Sequence, residues 1–321
     1  MDLLKIMTFT LAAWVFFTDA HAQTPAPAPP PTLKKSHAHI GLIYPVSTNG
    51  WEAASYSNSL SLHAIAGASG AETGVALAGV ALIIKDSASG LLASGFANYV
   101  THNARGTQLA GFMNSTGSSK GVSMAGFVNV SGDAGTQVGG FMNIAKKVKG
   151  VQIAGFLNIA DSSDYPIALV NIIRNGEKSI GLSTDETLTS LVTFRSGSRK
   201  LYGIVGVGYN GKDKKDLYAW EGGFGAHFNI ARDFRLNTEL VSIGLTDFKS
   251  GDYFRSSLRL LPSLRLGHRV ELFAGPSFNY IRSEKGKGAG LVTHYLWSEK
   301  EPSGILHGLY FGATGGMNII F

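Results

Sequence analysis

The chain has 321 residues, a formal net charge of +6, 16% charged residues, 41 glycines and no cysteine. The missing cysteine excludes a disulfide framework, a thiol nucleophile, a cysteine-based metal site and a lipoprotein anchor. The positive charge is diffuse. Its densest clusters, Lys146-Lys147-Val148-Lys149 and Lys212-Asp213-Lys214-Lys215, fall in expected turns rather than on one basic face with stacking aromatics, so no nucleic-acid partner is expected.

Residues 1–22 read as a secretory signal peptide. A short leader with Lys5 precedes an apolar run over 6–17 and the small-x-small site Ala20-His21-Ala22. Residues 23–36 are a Pro-rich linker of polyproline II type. Residues 37–58 hold an alternating segment, 39–46, read as a first barrel strand followed by a connector. His37 and His39 make an H-x-H pair, which in a strand or linker edge is usually incidental.

Residues 59–185 repeat with a period of 14 to 16, marked by the second glycine of each unit at 79, 95, 111, 126, 140 and 155. The unit is G-x-Q-x-A-G-F-x-N, clearest at 150–158. Each copy alternates, so the copies are strands. By that alternation Gln152, Ala154, Phe156 and Asn158 share one face, and Val151, Ile153, Gly155, Leu157 and Ile159 the other.

Two architectures fit. In a β-solenoid each repeat is one coil and equivalent residues stack. Phe96, Phe112, Phe127, Phe141 and Phe156 would then form one ladder, and Asn98, Asn114, Asn129, Asn143 and Asn158 another. With Gln108, Gln137 and Gln152 these would present a binding face. In the alternative each repeat is a strand of one wide barrel of about sixteen. The linkers between repeats do not alternate between short and long, and the repeats lack an aromatic girdle, so the solenoid is preferred.

Residues 186–321 have longer alternating strands with more aromatics. Tyr218, Trp220, Phe224 and Phe228 lie on one face, and charges lie on the other. Glu221, His227, Arg235, Glu239, Arg255, Arg259, Arg265 and Glu271 occupy the polar register, as in a narrow lumen of paired charges. This predicts an antiparallel outer-membrane barrel of about eight strands. The turns at 231–233 and 267–269 are tight, and the loops at 246–252 and 283–307 are long. The convention of short periplasmic turns and long outer loops then orients the barrel. Seven strands fall after residue 186. With 39–46 as the eighth, the repeats would be inserted on the extracellular side, between the first and second barrel strands. The last strand alternates apolar residues up to Phe321, expected as an assembly signal.

That closing aromatic strand resembles the terminal strand of bacterial outer-membrane barrels, which the barrel-assembly machinery reads. The G-x-Q-x-A-G-F-x-N array, the segment 164–181 that closes it, and Phe194-Arg-Ser-Gly197 leading into 202–209 together resemble the surface-repeat outer-membrane proteins of Bacteroidetes-type Gram-negative bacteria. The resemblance implies an envelope location with outer-membrane lipid as a partner. It implies no assigned activity and no catalytic residues.

Three functions follow as expectations. The first is a non-enzymatic surface protein whose barrel anchors a repeat array for an unidentified surface ligand or for envelope structure, with no cofactor. The second is a passive channel, which needs the sixteen-strand barrel. The third is a small-barrel lipid-modifying enzyme using His227, Glu221 and Ser242. In a strand, however, His227 and Glu221 stand six residues and so roughly 20 Å apart, and Ser242 falls in the apolar register. The first is preferred.

Overall fold

A computed structural model describes residues 32–212, 217–249 and 252–321. The expected signal peptide at 1–22 and residues 23–31 of the expected linker lie outside them. Two β structures follow one another, a parallel stack over 34–173 and a closed antiparallel barrel over 177–320.

The stack is a β-solenoid. Asn98, Asn114, Asn129, Asn143, Asn158 and Asn171 sit beside one another on successive parallel strands. The five phenylalanine rings follow at centroid spacings of 4.9, 4.9, 5.0 and 5.3 Å, with interplanar angles of 1–13°. That spacing is the separation of neighbouring strands, so the backbone itself imposes the stacking. The wide barrel is therefore not formed.

Each Ala-Gly-Phe step is a corner. One strand ends at Ala110 and the next begins at Met113, with Gly111 and Phe112 between them. Backbones of neighbouring coils come very close there. A Cβ on Gly126 would lie 2.1 Å from the carbonyl oxygen of Gly111, which excludes any side chain without displacing the coil. The corner also corrects the face assignment. Simple alternation places the phenylalanines with Gln and Asn, but the bend swings them out of the coil while Gln and Asn stay inside.

The strand Lys34–Ile43 pairs in parallel with Tyr56–Ser69, so residues 39–46 start the first coil and are not a barrel strand. Ile40 and Leu42 point out, against a buried His39. A solenoid edge and a barrel wall share that period-two pattern, and the pattern alone does not separate them.

The barrel has eight strands: β1 (Glu177–Asp185), β2 (Thr189–Gly197), β3 (Leu201–Asn210), β4 (Leu217–Asn229), β5 (Phe234–Thr246), β6 (Tyr253–Leu266), β7 (Val270–Ser283) and β8 (Leu306–Ile320). Each pairs antiparallel with the next, and β8 pairs with β1 to close the sheet. The eighth strand is thus Glu177–Asp185, inside the segment assigned to the repeats. The tight turns at 198–200, 230–233 and 267–269 share one end with the start of β1. The strand ends Asn210, Thr246 and Ser283 and the segment 284–305 lie at the other.

The repeats therefore precede the whole barrel rather than interrupting it, and they dock at its tight-turn end. Asn171 donates its backbone N–H to Ser196 Oγ at 3.0 Å and its side-chain amide to the Ser196 carbonyl at 3.4 Å. Ser198 Oγ donates to the Asp164 carbonyl at 2.8 Å, and Lys200 Nζ reaches Tyr165 Oη at 3.0 Å. At Gly203 the wall touches the last coil so closely that a Cβ would meet the Ala168 and Leu169 carbonyl oxygens at 2.1 and 2.2 Å. The outer wall of β2 and β3 thus caps the open end of the stack, whose unpaired strand edge would otherwise be a pairing hazard.

Candidate functional site

Four groups of side chains carry chemistry. The first is the amide interior of the solenoid. Asn98 Nδ2 donates to Asn114 Oδ1, Asn114 to Asn129, Asn129 to Asn143, Asn143 to Asn158 and Asn158 to Asn171, all at 2.9–3.0 Å. The second amide hydrogen of most members goes to a backbone carbonyl, as from Asn129 to Val138 at 2.8 Å. Beside this ladder Gln152 donates to Gln137 Oε1 at 3.0 Å, and Gln108 bonds to Ser119, Ser123 and Thr116. All these residues are buried. The expectation that Asn and Gln present a binding face is therefore corrected. A carboxamide carries both donor and acceptor, so stacked copies satisfy one another and need no ligand. Asn98 starts the ladder because Leu82 precedes it in register, and its Oδ1 has no partner.

The second group fills the barrel. Glu221, Arg235, Glu239, Arg255, Arg259 and Glu271 are all buried in the interior, and Arg265 stands at its tight-turn mouth. Glu239 joins Arg195 at 2.8 Å, Arg259 at 3.4 Å and the Tyr202 hydroxyl at 3.0 Å, while Arg259 also meets Glu221 at 2.8 Å. Toward the mouth, Glu177 bridges Arg235 and Arg265, each at 2.7 Å. Arg235 also pairs with Glu271, which accepts from Asn237 at 2.9 Å and Asn318 at 3.2 Å. Toward the long-loop end Arg255 pairs with Asp185, and Tyr310 donates to Glu186 at 2.9 Å. Above this network Leu191, Ile204, Leu217, Ile243, Ile281 and Leu291 pack together, and at the tight-turn mouth an open cavity of about 520 Å³ is lined by Glu177, Arg232, Asp233, Arg265 and His268.

Sequence reasoning missed Glu177, Asp185, Glu186 and Arg195. Glu177 and Asp185 were hidden by a boundary drawn at 186, Glu186 stands at that boundary outside any expected strand, and Arg195 was hidden by strand β2 having few charges to mark its polar register. His227 hydrogen-bonds with Asn237 at 2.7 Å, stacks on Tyr202, and has its Nε2 at 3.8 Å from Glu177. Glu221 instead faces Arg259, and Ser242 lies in the outward register of β5. The structure does not bring His227, Glu221 and Ser242 together.

The third group lies in the first coils. His39 and His63 meet edge to face at 4.5 Å, and His39 Nε2 hydrogen-bonds with Ser47 Oγ at 2.9 Å. Glu72 accepts from Ser61 at 2.8 Å and from Asn58 at 3.1 Å. Burial and the neighbouring His63 depress the His39 pKa to about 4, and burial pushes Glu72 up. His37 is exposed and does not join His39 in a site. Among the described residues no cluster of His, Asp and Glu is arranged to hold a metal ion.

The fourth group is the outer corner of the repeats. Phe96, Phe127, Phe141 and Phe156 are 39–51% exposed, although they stack. Alongside runs an aliphatic ladder, Ile40, Leu62, Leu77, Ala93, Leu109, Met124, Val138, Ile153 and Ile167. Between this ladder and the glycine corner runs an open apolar groove of about 540 Å³, lined by Leu77, Leu109, Met124 and Val138. From 76 to 84, 92 to 100, 108 to 116, 123 to 131, 137 to 145 and 152 to 160 there is no charged residue. Each coil's charges, such as Asp86, Arg105, Lys120, Asp133 and Lys147, lie on the opposite edges. A soluble monomer rarely leaves an apolar stripe of this length open, so this corner is the strongest candidate site.

Comparison with protein-family models, curated proteins and solved structures gives no match to this chain.

Proposed function

We propose that the chain is a non-enzymatic outer-membrane protein, with the barrel as an anchor and the repeat stack, docked on its wall near the tight turns, as a structural or binding scaffold. One observation carries this reading: the middle of the barrel interior is closed by paired charges and packed side chains, while its outer wall is apolar. On that wall Val192, Val207, Leu240, Leu258 and Leu264 are 43–67% exposed. A closed barrel with an apolar exterior and satisfied charges inside is one of the two ways a chain can cross a bilayer without orphaned backbone groups. The expected leader at 1–22 and the resemblance to envelope repeat proteins support the same location.

Under the convention of short periplasmic turns, the docked stack lies on the periplasmic side. The function of the repeats then shifts from presentation at the cell surface to a role at the inner face of the outer membrane. A channel finds no support in a lumen closed by Arg195, Glu239, Arg259 and Glu221.

Two measurements test this. Full-length protein in planar bilayers is expected to give no discrete steps of porin size, and stable, reproducible steps would overturn the closed anchor. An epitope inserted at Ser118 is expected to be labelled only after cells are permeabilised. Labelling of intact cells would place the stack outside.

A further inference from the structure

We propose that the glycine-phenylalanine corner of the repeat stack is seated in the lipid leaflet beside the barrel, so that the solenoid lies along the membrane and does not hang free below it. This rests on the reading of the barrel as membrane-spanning.

The orientation of the last coil carries the inference. Its lower edge sits at the tight turns. Lys200 meets Asp164 and Tyr165 there, and a Cβ on Gly176 would run into the Gly197 carbonyl. Its corner stands higher on the same wall. Ala168 and Leu169 press on Gly203, and the Leu169 side chain reaches the Cβ position of Gly222 at 3.6 Å. Gly203 pairs with Phe224 and Gly222 with Val205, so the corner climbs toward the apolar belt of the barrel. Leu169 occupies the corner position that Phe156 holds in the preceding coil, since Ile153 pairs with Ile167 and Leu157 with Val170. The phenylalanine ladder thus runs into the outward wall of the barrel.

The stacking direction extends this along the whole repeat. The asparagine ladder passes through Asn171 to Ser196 in the wall, so the stack axis leads away from the barrel side. Under this proposal successive corners follow the ladder at the height of Leu169. If the belt is in lipid, the corner ladder is as well, and the charged edges point away from the bilayer. An uncharged apolar stripe opposite a charged edge is the pattern of elements that lie in a membrane interface. The glycines let the coils close up at the corner, and stacking supplies a continuous apolar ridge.

The chain lacks cysteine, so single-cysteine variants of the full-length protein can be labelled cleanly. An environment-sensitive nitrobenzoxadiazole label would be placed at Met124→Cys, Phe127→Cys, Leu240→Cys on the barrel wall, and Asp133→Cys on the charged edge. Each variant would be reconstituted into phosphatidylcholine vesicles with or without nitroxide-bearing acyl chains. The labels at 124 and 127 are expected to emit to the blue and lose emission to nitroxide lipid to the same extent as the label at 240. The label at 133 is expected to lose none.

Quenching at 240 but not at 124 or 127 would overturn the inference and leave the membrane barrel standing. No quenching at any position would overturn both. Blue-shifted but unquenched labels at 124 and 127, with cross-linking of the protein to twice its mass, would show a second copy covering the corner in place of lipid. Met124→Cys probes the aliphatic ladder without touching the ring stack, so a folding defect in Phe127→Cys does not decide the outcome.

Discussion

Replacing Asn129 with leucine is expected to unravel the repeat stack while leaving the barrel closed. Asn129 accepts from Asn114 and donates to both Asn143 and the Val138 carbonyl, at 2.8–2.9 Å. Leucine has a similar volume but neither donor nor acceptor. It leaves one hydrogen of Asn114, the Asn143 oxygen and one lone pair of Val138 without partners in a dry interior. Each such buried group costs about 1–3 kcal/mol, so the loss is roughly 3 kcal/mol or more, a large part of a typical domain's stability. Solenoid stability also depends on neighbouring coils, and a defect in the middle uncouples both halves. Limited proteolysis of the full chain in detergent checks this: new cleavage should appear within residues 60–175, and a fragment starting near residue 177 should resist. An unchanged digestion profile would show that the amide ladder contributes little.

The second large effect is expected in the barrel. Glu239→Ala should destabilise it by about 3–5 kcal/mol, because it strands Arg195 in a buried site with no carboxylate of its own, whereas Arg259 keeps Glu221. Removing one partner of a buried pair is costly mainly through the charge left behind. Combining Arg195→Met with Glu239→Leu should therefore recover most of that loss. Urea unfolding followed by the mobility of unheated samples in gel electrophoresis measures both variants. A double variant no more stable than Glu239→Ala would contradict the explanation by stranded charge.

Together these expectations separate two kinds of polar interior. In the solenoid the stacked asparagines satisfy one another from one coil to the next. In the barrel five arginines, 195, 235, 255, 259 and 265, face the carboxylates 177, 185, 186, 221, 239 and 271, and the network ties strands that are far apart in sequence. The first interior builds a regular rod and the second locks a closed tube. The open apolar groove lies outside both, along the corner of the repeats.

Much of this was legible in the chain. The spacing of Gly111, Gly126, Gly140 and Gly155 announces coils of about fifteen residues, and stacked Phe112 and Phe127 follow from that period. The alternation of Leu258 and Leu260 with Ser257 and Arg259 separates wall from lumen over β6. What misled was period two itself. The strand 39–46 and the strand Glu177–Asp185 both alternate, and only pairing shows that the first joins a parallel coil and the second closes the barrel. Glu177–Asp185 carries just two large outward apolar residues, Ile180 and Leu182, so its strand signal was weak.

The sequence by itself determined the two β textures, the repeat period, the lumen charges from Glu221 to Glu271 and the end of the barrel that bears the tight turns. All of these rest on spacings within one or two strands, which side-chain alternation writes directly into the residue order. Only the tertiary structure decided that the phenylalanines face out while the asparagines face in, that the repeats precede the barrel, and that their corner climbs its wall. Those outcomes depend on a bend at each Gly-Phe step and on contacts such as Asn171 with Ser196 and Leu169 with Gly203. Such contacts join residues more than twenty positions apart and leave no periodic trace along the chain.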